Sequence, residues 1–354
     1  MNVPLKLLRI DMDYVVIAYL YLSILLYLVL GGADFGAGIL EIFTSSRNRA
    51  KTRQVLYQAI GPIWEANHMW LIIAVVILFV GYPEIYSTLS VYLHIPLVAM
   101  LMGIIARGTA FIFRHYDAVK DNMQVVYNRI FVLSSFVTPL FLGIIAGSTL
   151  SGQIRVSADT FPGAYLHGWL NVFSLSVGLF TVALCGFLAA VYIIGEAEDT
   201  QDQQRFINKA KYMNIAAVGC GVIVFAAAYA AGVPLWQWVF EDAVGLIAVI
   251  LATISLPLLW YFVKQNQRWA MRITAGFEVT MILLAISYAH FPRFALLADE
   301  ESLSLLEHQA PPATMMALGL ALLLGSVFIL PALFYLYFSF QQNQRRQNTL
   351  TPDV

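Results

Sequence analysis

The stretch YVVIAYLYLSILLYLVLGGADFGAGILEIF, residues 14–43, decides the class of this protein. An α-helix rises about 1.5 Å per residue, so about twenty mostly apolar residues are enough to cross a hydrocarbon layer of about 30 Å. Residues 14–43 exceed that length and contain few ionisable side chains. We therefore predict that they form a transmembrane helix.

Eight further segments of the chain meet the same test. They are residues 60–80, 87–113, 128–148, 164–195, 212–232, 241–263, 273–288 and 314–340. The composition agrees, because 60% of the residues are hydrophobic and only 12% are charged, whereas roughly a quarter of the residues of a soluble domain are charged. The sequence predicts an all-α integral membrane protein with about nine transmembrane helices.

The positions of the basic residues predict the orientation. Lys and Arg are concentrated in the first, third, fifth and seventh connections between the predicted spans and in the C-terminal tail. Because cytoplasmic loops carry the excess of basic residues, the N-terminus is predicted to lie outside and the C-terminus in the cytoplasm. An alternative is that Lys6, Arg9 and the apolar residues 15–30 form a cleaved signal peptide. Asp11 and Asp13 offset the basic start that such a peptide needs.

The first and the fifth predicted spans, residues 14–43 and 164–195, are both unusually long. This spacing predicts two similar four-helix bundles, residues 14–150 and 164–290, followed by a ninth, peripheral helix at 314–340. Two repeats separated by an even number of spans share one orientation in the membrane. We therefore expect residues 1–354 to form a single polytopic membrane domain built from two parallel halves.

Two segments place ionisable side chains in apolar surroundings, which costs about 2.5–3.5 kcal/mol per residue on insertion scales. Asp34 lies within GGADFGAG, where the missing side chains of the glycines allow another helix to approach closely. The segment GPIWEANHMW opens the second predicted span and contains Trp64, Glu65, Asn67 and His68. In the predicted orientation, Asp34, Glu65 and His68 come near one another at the cytoplasmic face.

Two interpretations of this group remain open. Carboxyl groups at the edge of a low-dielectric region favour the protonated form more than in water, and histidine titrates near neutral pH, so the group can exchange protons. In this hypothesis Glu65 and Asp34 form a proton path. Its supporting residues are His68, Trp64, Asn67 and Arg107. In the alternative, the acids only cap the second helix or pair with Arg107 and Arg114 at the same face.

The sequence contains few candidates for a cofactor site. His94, His167 and His290 are predicted at the outer ends of helices, where a shared haem or metal site is an alternative to hydrogen-bonded helix ends. Cys185 and Cys220 lie in apolar runs and are interpreted as packing residues. The chain has no CxxCH, Walker or dinucleotide-binding motif. Its net charge of −1 gives no reason to expect a nucleic-acid partner. We expect it to ligate no metal.

Four motifs in order along the chain carry a resemblance to a known family. They are GGADFGAG at 31–38, GPIWEANHMWL at 61–71, GIIARGTAFIFRH at 103–115, and the glycines Gly143, Gly147 and Gly152. Together they resemble subunit II of the cytochrome bd quinol oxidases. The resemblance extends over roughly residues 10–200 and, through the number and length of the helices, more weakly to the end.

This resemblance implies a multi-pass protein of a bacterial plasma membrane, in a complex that oxidises quinol and reduces dioxygen to water. In that family haem b, haem d and the main quinol site belong to subunit I, a separate chain. This chain would then be a non-haem partner, in contact with membrane lipid, that contributes a scaffold and a cytoplasmic proton path. A quinone bound to this subunit is also compatible with the resemblance. Glu65 corresponds to the family's proton-path acid and Asp34 to its acid in the first helix.

The chain departs from the family pattern at two positions and leaves other functions open. Many relatives carry acids where this chain has Gly31 and Ile112, which puts a proton path through those positions in doubt. A transporter or channel is an alternative, because parallel repeats and a glycine-broken first helix occur in transporters. A purely structural membrane partner is another. Because a transporter binds its substrate near the membrane centre, the expectation that the ionisable groups lie at the ends of the spans weighs against the first alternative.

Overall fold

The computed structural model describes residues 11–45, 48–49, 51–53, 55–56, 64–116, 123–196, 199–299 and 301–350, and the side chains of 64–65, 115–116 and 336–350 lie outside this description. Within the described residues, eight helices are long and apolar enough to cross a membrane. A ninth candidate is a pair of helices bent by 114°. The prediction of an all-α membrane protein is therefore confirmed.

The helices follow one another from the N-terminus to the C-terminus. They are α1 (Met12–Ile42), α2 (Trp64–Gly81), α3 (Pro83–Tyr92), α4 (His94–Tyr116), α5 (Met123–Ser151), α6 (Phe161–Tyr165), α7 (Val172–Ile194), α8 (Thr200–Ala231), α9 (Ala243–Lys264), α10 (Arg268–His290) and α11 (Pro312–Leu350). A π-helical turn, Tyr27–Gly31, interrupts α1, and another, Gln237–Glu241, precedes α9. Two short strands, β1 (Arg293–Ala295) and β2 (Leu303–Ser304), pair antiparallel between α10 and α11.

The third predicted span, residues 87–113, was placed too early. The chain bends by 114° between α2 and α3, and the membrane-crossing helix α4 starts only at His94. Pro83 explains the first break, because a proline disfavours the helical conformation of the residue before it. Tyr82 has φ −137° and ψ 61°, outside the helical region. That break falls between the predicted spans 60–80 and 87–113. The break that hydrophobicity did not reveal lies within the third predicted span at Leu93, between α3 and α4, where φ is −112° and ψ is 20°.

The fifth predicted span, residues 164–195, was too long. Only Ala164 and Tyr165 of its first part are helical, as the end of the short helix α6, and α7 begins only at Val172. Asn171 caps α7, since its Oδ1 accepts a hydrogen bond from the backbone N–H of Ser174 at 2.8 Å. With 23 residues, α7 is of ordinary length, whereas α1 has 31. The equal length of the first and fifth spans therefore no longer supports two similar four-helix halves, and this division of the chain stays a prediction.

Helix α7 is the centre of the molecule. In the most apolar part of α7, 78% of the residues are buried, whereas the corresponding share in α11 is 11%. Helix α7 packs against α1, α5, α8 and α10. A side chain at Gly36 would overlap the backbone oxygen of Cys185 in α7, and one at Gly38 would overlap the hydroxyl of Ser135 in α5. The predicted close approach of helices at GGADFGAG is confirmed.

The loops at the predicted outer face are joined by hydrogen bonds. The carboxylate of Asp299 accepts hydrogen bonds from the backbone N–H groups of Val156 at 3.0 Å and of Ser157 at 2.9 Å, and from the Ser157 hydroxyl. These donors, the hydroxyl foremost, lower the pKa of Asp299 from its ordinary value. The backbone N–H of Ala310 donates to the oxygen of Gly81 at 2.7 Å. The last connection is thereby fixed to the loops after α2 and α5.

Candidate functional site

Asp34 and Arg107 form a buried ion pair between α1 and α4. Arg107 Nη1 donates to Asp34 Oδ2 at 2.7 Å, and Nη2 donates to Oδ1 at 2.7 Å. Nη2 also donates to the backbone oxygen of Asp34 at 2.9 Å. Both residues are only 1% exposed. A two-pronged pair of this kind fixes both the distance and the orientation of the guanidinium, so it ties α4 rigidly to α1.

The remaining faces of the Arg107 guanidinium contact α5 and two aromatic rings. Its Nε donates to Ser135 Oγ at 3.0 Å. The guanidinium carbon lies 5.1 Å from the centroid of the Phe35 ring and 4.9 Å from that of Phe131, within the range of cation–π attraction. Gly38 leaves the space that Ser135 occupies. Helices α1, α4 and α5 therefore meet at one compensated buried charge.

The start of α2 lies against the π-helical turn of α1. The His68 ring centroid is 5.8 Å from that of Phe35 and 6.0 Å from that of Tyr27. Asn67 Nδ2 donates to the backbone oxygen of Leu30, within that turn, at 3.4 Å. A π-helical turn displaces backbone groups from the regular helical pattern, and such turns are frequent at functional sites. The structure thus brings His68 and Asn67 to the region of Asp34, as predicted.

Trp64 and Glu65 begin α2, but their side chains lie outside the described residues. The predicted meeting of Asp34, Glu65 and His68 is therefore observed for Asp34 and His68, and the position of the Glu65 carboxyl stays a prediction.

A second ion-pair cluster lies two turns further along α1. Glu41, 1% exposed, pairs with Arg53 Nε and with Arg114 Nη1, the latter at 3.2 Å from Oε2. The sequence analysis named Arg107 and Arg114 together as possible partners of the acids at this face. In the structure Arg107 pairs with Asp34, and Arg114 pairs with Glu41.

The sequence interpretation assigned no role to Glu41, although a signal was present. Asp34 and Glu41 are seven residues apart, and so are Arg107 and Arg114. Residues seven apart lie on one face of a helix.

Glu278 lies near the middle of α10, the eleventh of its 23 residues counted from Arg268. It is 6% exposed, and its Oε2 is buried with no hydrogen-bond partner in the described part of the chain. The expectation that ionisable groups lie only at the ends of the spans is therefore wrong. The signal that could have revealed this residue is a lone acid inside the predicted span 273–288.

The outer histidines make local contacts. The Nδ1 atoms of His94 and His290 lie 2.8 Å from the backbone oxygens of Val91 and Ile286 respectively. The His290 ring centroid is 3.8 Å from that of Trp238. In the described ranges no three or more His, Cys, Asp or Glu side chains gather as a metal site. These contacts agree with helix-end residues, and the absence of haem ligation by this chain stays a prediction.

Comparison with known proteins places this chain. The family described as "Cytochrome bd terminal oxidase subunit II" matches residues 12–340. The chain belongs to the cytochrome bd terminal oxidase subunit II family. The resemblance carried by the four motifs is confirmed, and the transporter or channel alternative is not favoured.

Individual members of the cytochrome bd family agree in length and fold. "Cytochrome bd ubiquinol oxidase subunit 2" of Bacillus subtilis (strain 168) is 26% identical over 96% of this chain and 98% of that protein. "Cytochrome bd-I ubiquinol oxidase subunit 2" of Escherichia coli (strain K12) is 26% identical over 51% of this chain and 49% of its own. A chain of the solved "bd oxidase from Geobacillus thermodenitrificans" superposes with a TM-score of 0.76 at 18% identity, over 94% of this chain and 100% of that one. The last match shows a shared fold.

Membership in the cytochrome bd subunit II family has direct consequences. The chain is one subunit of an oxidoreductase complex, it functions beside at least one further subunit, and the complex carries haem because it is a cytochrome. It is a multi-pass membrane protein.

Gly31 and Ile112, the two positions at which the resemblance led us to expect acids, have different surroundings. A Cβ at Gly31 would lie 3.0 Å from Cδ2 of Tyr27, so this position in the π-helical turn is tightly packed. Ile112 is 43% exposed on the surface of α4. Neither position contributes a titratable group to the Asp34–Arg107 region.

Proposed function

We propose that this chain is the non-haem subunit II of a quinol oxidase in a bacterial plasma membrane, with its N-terminus outside and its C-terminus in the cytoplasm. Its partner, a subunit I, carries haem b and haem d, where quinol is oxidised and dioxygen is reduced to water. The observation that supports this most is the family match over residues 12–340. One relative from Bacillus subtilis is named as a ubiquinol oxidase subunit and another as a putative menaquinol oxidase subunit. Either class of quinol therefore fits the proposal.

Within the complex, the first role of this subunit is to provide a scaffold. The Asp34–Arg107 pair joins α1 to α4, and Ser135 adds α5. The two hydrogen bonds from the guanidinium fix the position and the orientation of the Asp34 carboxylate. Asp34 therefore serves the scaffold through this pair, and its part in the proton path stays a proposal.

The second proposed role is a proton entrance at the start of α2. Glu65 follows Trp64 at the N-terminal end of α2, and His68 and Asn67, one turn further on, contact the π-helical turn of α1. A carboxyl group there can take protons from the cytoplasm, and His68 is the nearest neighbour in sequence able to receive them. The correspondence of Glu65 to the family's proton-path acid supports this assignment.

Replacing Glu65 in the complete complex tests the entrance. Glu65→Gln keeps the shape but removes the titratable group, so quinol-driven oxygen consumption should fall by at least about tenfold, since general acid–base groups contribute about 10²–10⁴-fold. Glu65→Asp should keep part of the activity. Assembly and the haem optical spectrum should be unchanged in both variants.

A matched control is Glu301→Gln, which makes the same chemical change at an exposed residue of the last outer loop. It should respire like the unmodified complex. Full oxygen consumption in Glu65→Gln would contradict the proton entrance, and loss of assembly in that variant would show that Glu65 serves the structure of α2 instead.

A further inference from the structure

The buried face of α10 carries one acid that neither the scaffold nor the proposed entrance uses. Glu278 lies about 15 Å from the inner end of α10 and about 18 Å from its outer end, at 1.5 Å per residue. The buried residues next to it, Ala275 and Val279, are both fully enclosed and apolar. The Oε2 atom of Glu278 is shielded from solvent and accepts no hydrogen bond within the described residues.

A charged carboxylate is poorly suited to this environment. Helix α10 packs against α9, α7 and the π-helical turn Gln237–Glu241. The titratable groups on these elements include Lys264 and Tyr261 of α9, Cys185 and Tyr192 of α7, and Glu241. None of the ion pairs in the described part of the chain includes Glu278. Because a buried charge without a partner is costly, the carboxyl group at this depth is stable in its neutral, protonated form.

Among the buried polar side chains of α10, the one nearest to Glu278 in sequence lies towards the inner end, while half-buried Thr280 on the outer side donates its hydroxyl to the backbone oxygen of Gly276 at 2.7 Å. Thr274, buried one turn towards the inner end, donates from its hydroxyl to the backbone oxygen of Ala270 at 2.7 Å. Further inward, Arg272 pairs with Glu196 at the end of α7. On the outer side, the next buried residues of α10 are apolar until His290, three turns away. The buried polar side chain of α10 nearest to Glu278, Thr274, therefore lies between Glu278 and the inner end of the helix.

We propose that Glu278 is a proton-binding site at the centre of the membrane, which holds one proton in the resting complex and exchanges it with the cytoplasmic side past Thr274 during turnover. In the exchange, the carboxyl O–H bond breaks and H⁺ departs. The side chain is then a transient carboxylate. A proton arriving from the cytoplasm then forms the O–H bond again. This site is separate from Glu65, because it lies on α10 and its infrared signature does not depend on any step at α2.

The test uses the complete membrane complex and two measurements. The infrared spectrum near neutral pH should contain a protonated-carboxyl C=O band that is absent in Glu278→Gln and shifted in Glu278→Asp. Quinol-driven oxygen consumption should fall at least about tenfold in Glu278→Gln and less in Glu278→Asp, with an unchanged haem spectrum. Ser255→Ala is the control, because Ser255 is buried on α9 and, among the described residues, its hydroxyl donates within its own helix to the oxygen of Ala252. It should leave both measurements unchanged.

Each outcome decides the proposal. An infrared spectrum that is the same in Glu278→Gln and in the unmodified complex would overturn it, and so would full oxygen consumption by a normally assembled Glu278→Gln complex. If Glu278→Gln does not assemble, Glu278→Asp decides. A shifted band together with slower turnover supports the proton site, whereas an unshifted band or unchanged turnover overturns it. A failure of the Glu65 variants to slow respiration affects the entrance at α2 alone.

Discussion

Single residues hold this subunit together through matched charges at equal spacing. Asp34 and Glu41 of α1 pair with Arg107 and Arg114 of α4, and in both pairs the partners are 73 positions apart in sequence. Two parallel helices that meet at residues i and j also meet at i+7 and j+7, because seven residues complete two turns. The pairs therefore specify the register of α4 against α1. The sequence already suggested Arg107 as a possible ion-pair partner of Asp34. The partner of Glu41 could be identified only from the three-dimensional structure.

The Asp34–Arg107 pair predicts a strongly coupled response to mutation. Asp34→Asn leaves the guanidinium of Arg107 buried without its counter-ion, and Arg107→Met leaves the carboxylate alone. Removing one partner of a buried pair typically costs about 3–5 kcal/mol. Each single variant should therefore lower the thermal stability of the complex and the amount of assembled haem protein. The double variant Asp34→Asn/Arg107→Met buries no charge and should recover much of the loss.

Thermal unfolding of the four complexes, analysed as a double-mutant cycle, measures this coupling. An Asp34→Asn complex that has normal stability but consumes oxygen slowly would contradict a structural role for the pair. That result would return Asp34 to the proton path.

Single helices show where sequence reasoning reaches its limit. Long apolar runs located most of the spans, because the cost of exposing backbone polar groups to lipid forces such runs into helices. The same reasoning merged α3 with α4 and α6 with α7, since hydrophobicity does not register a change of backbone direction. Leu93, whose backbone leaves the helical region, and the capping residue Asn171 lie at those breaks. Glu278 was overlooked for a different reason. A single acid barely alters the mean hydropathy of a long apolar segment.

The contact of α1 with α7 predicts opposite effects for the same substitution on two helices. At Gly36, an added methyl group would overlap the backbone oxygen of Cys185, which cannot move without shifting α7. Gly36→Ala should destabilise the complex by about 1–3 kcal/mol or more, as overpacking does. Gly219 of α8 has nothing within 4 Å of the same position. Gly219→Ala should be neutral or stabilising by up to about 1 kcal/mol, because alanine favours the helix.

Thermal unfolding of the two variant complexes provides the comparison. Equal stability of Gly36→Ala and Gly219→Ala would show that α1 and α7 can separate at Gly36 without cost, against the packing described for α7.

At the scale of the whole molecule, the fold combines a buried centre with apolar outer surfaces. Helix α7 is enclosed by its neighbours, whereas only 22% of the residues in the apolar part of α9 and 11% of those in α11 are buried. In a membrane such surfaces face lipid or another subunit without the penalty that water would impose. The family match extends over residues 12–340, and the Geobacillus thermodenitrificans chain shares the fold although only 18% of the residues are identical. The direction in which the bundle crosses the membrane rests on the distribution of basic residues.

Cysteine labelling in intact cells tests this orientation. Ser45 and Gln201 are exposed near the ends of α1 and α8, and Asp159 is exposed in the loop after α5. In a Cys220→Ala background, with Cys185 fully buried, each is replaced by cysteine in turn. The positive-inside rule predicts that an impermeant thiol reagent labels Asp159→Cys but neither Ser45→Cys nor Gln201→Cys until the membrane is opened. The reverse pattern would invert the bundle, place Glu65 and the inner end of α10 at the outer surface, and leave both proposed proton sites without access to the cytoplasm.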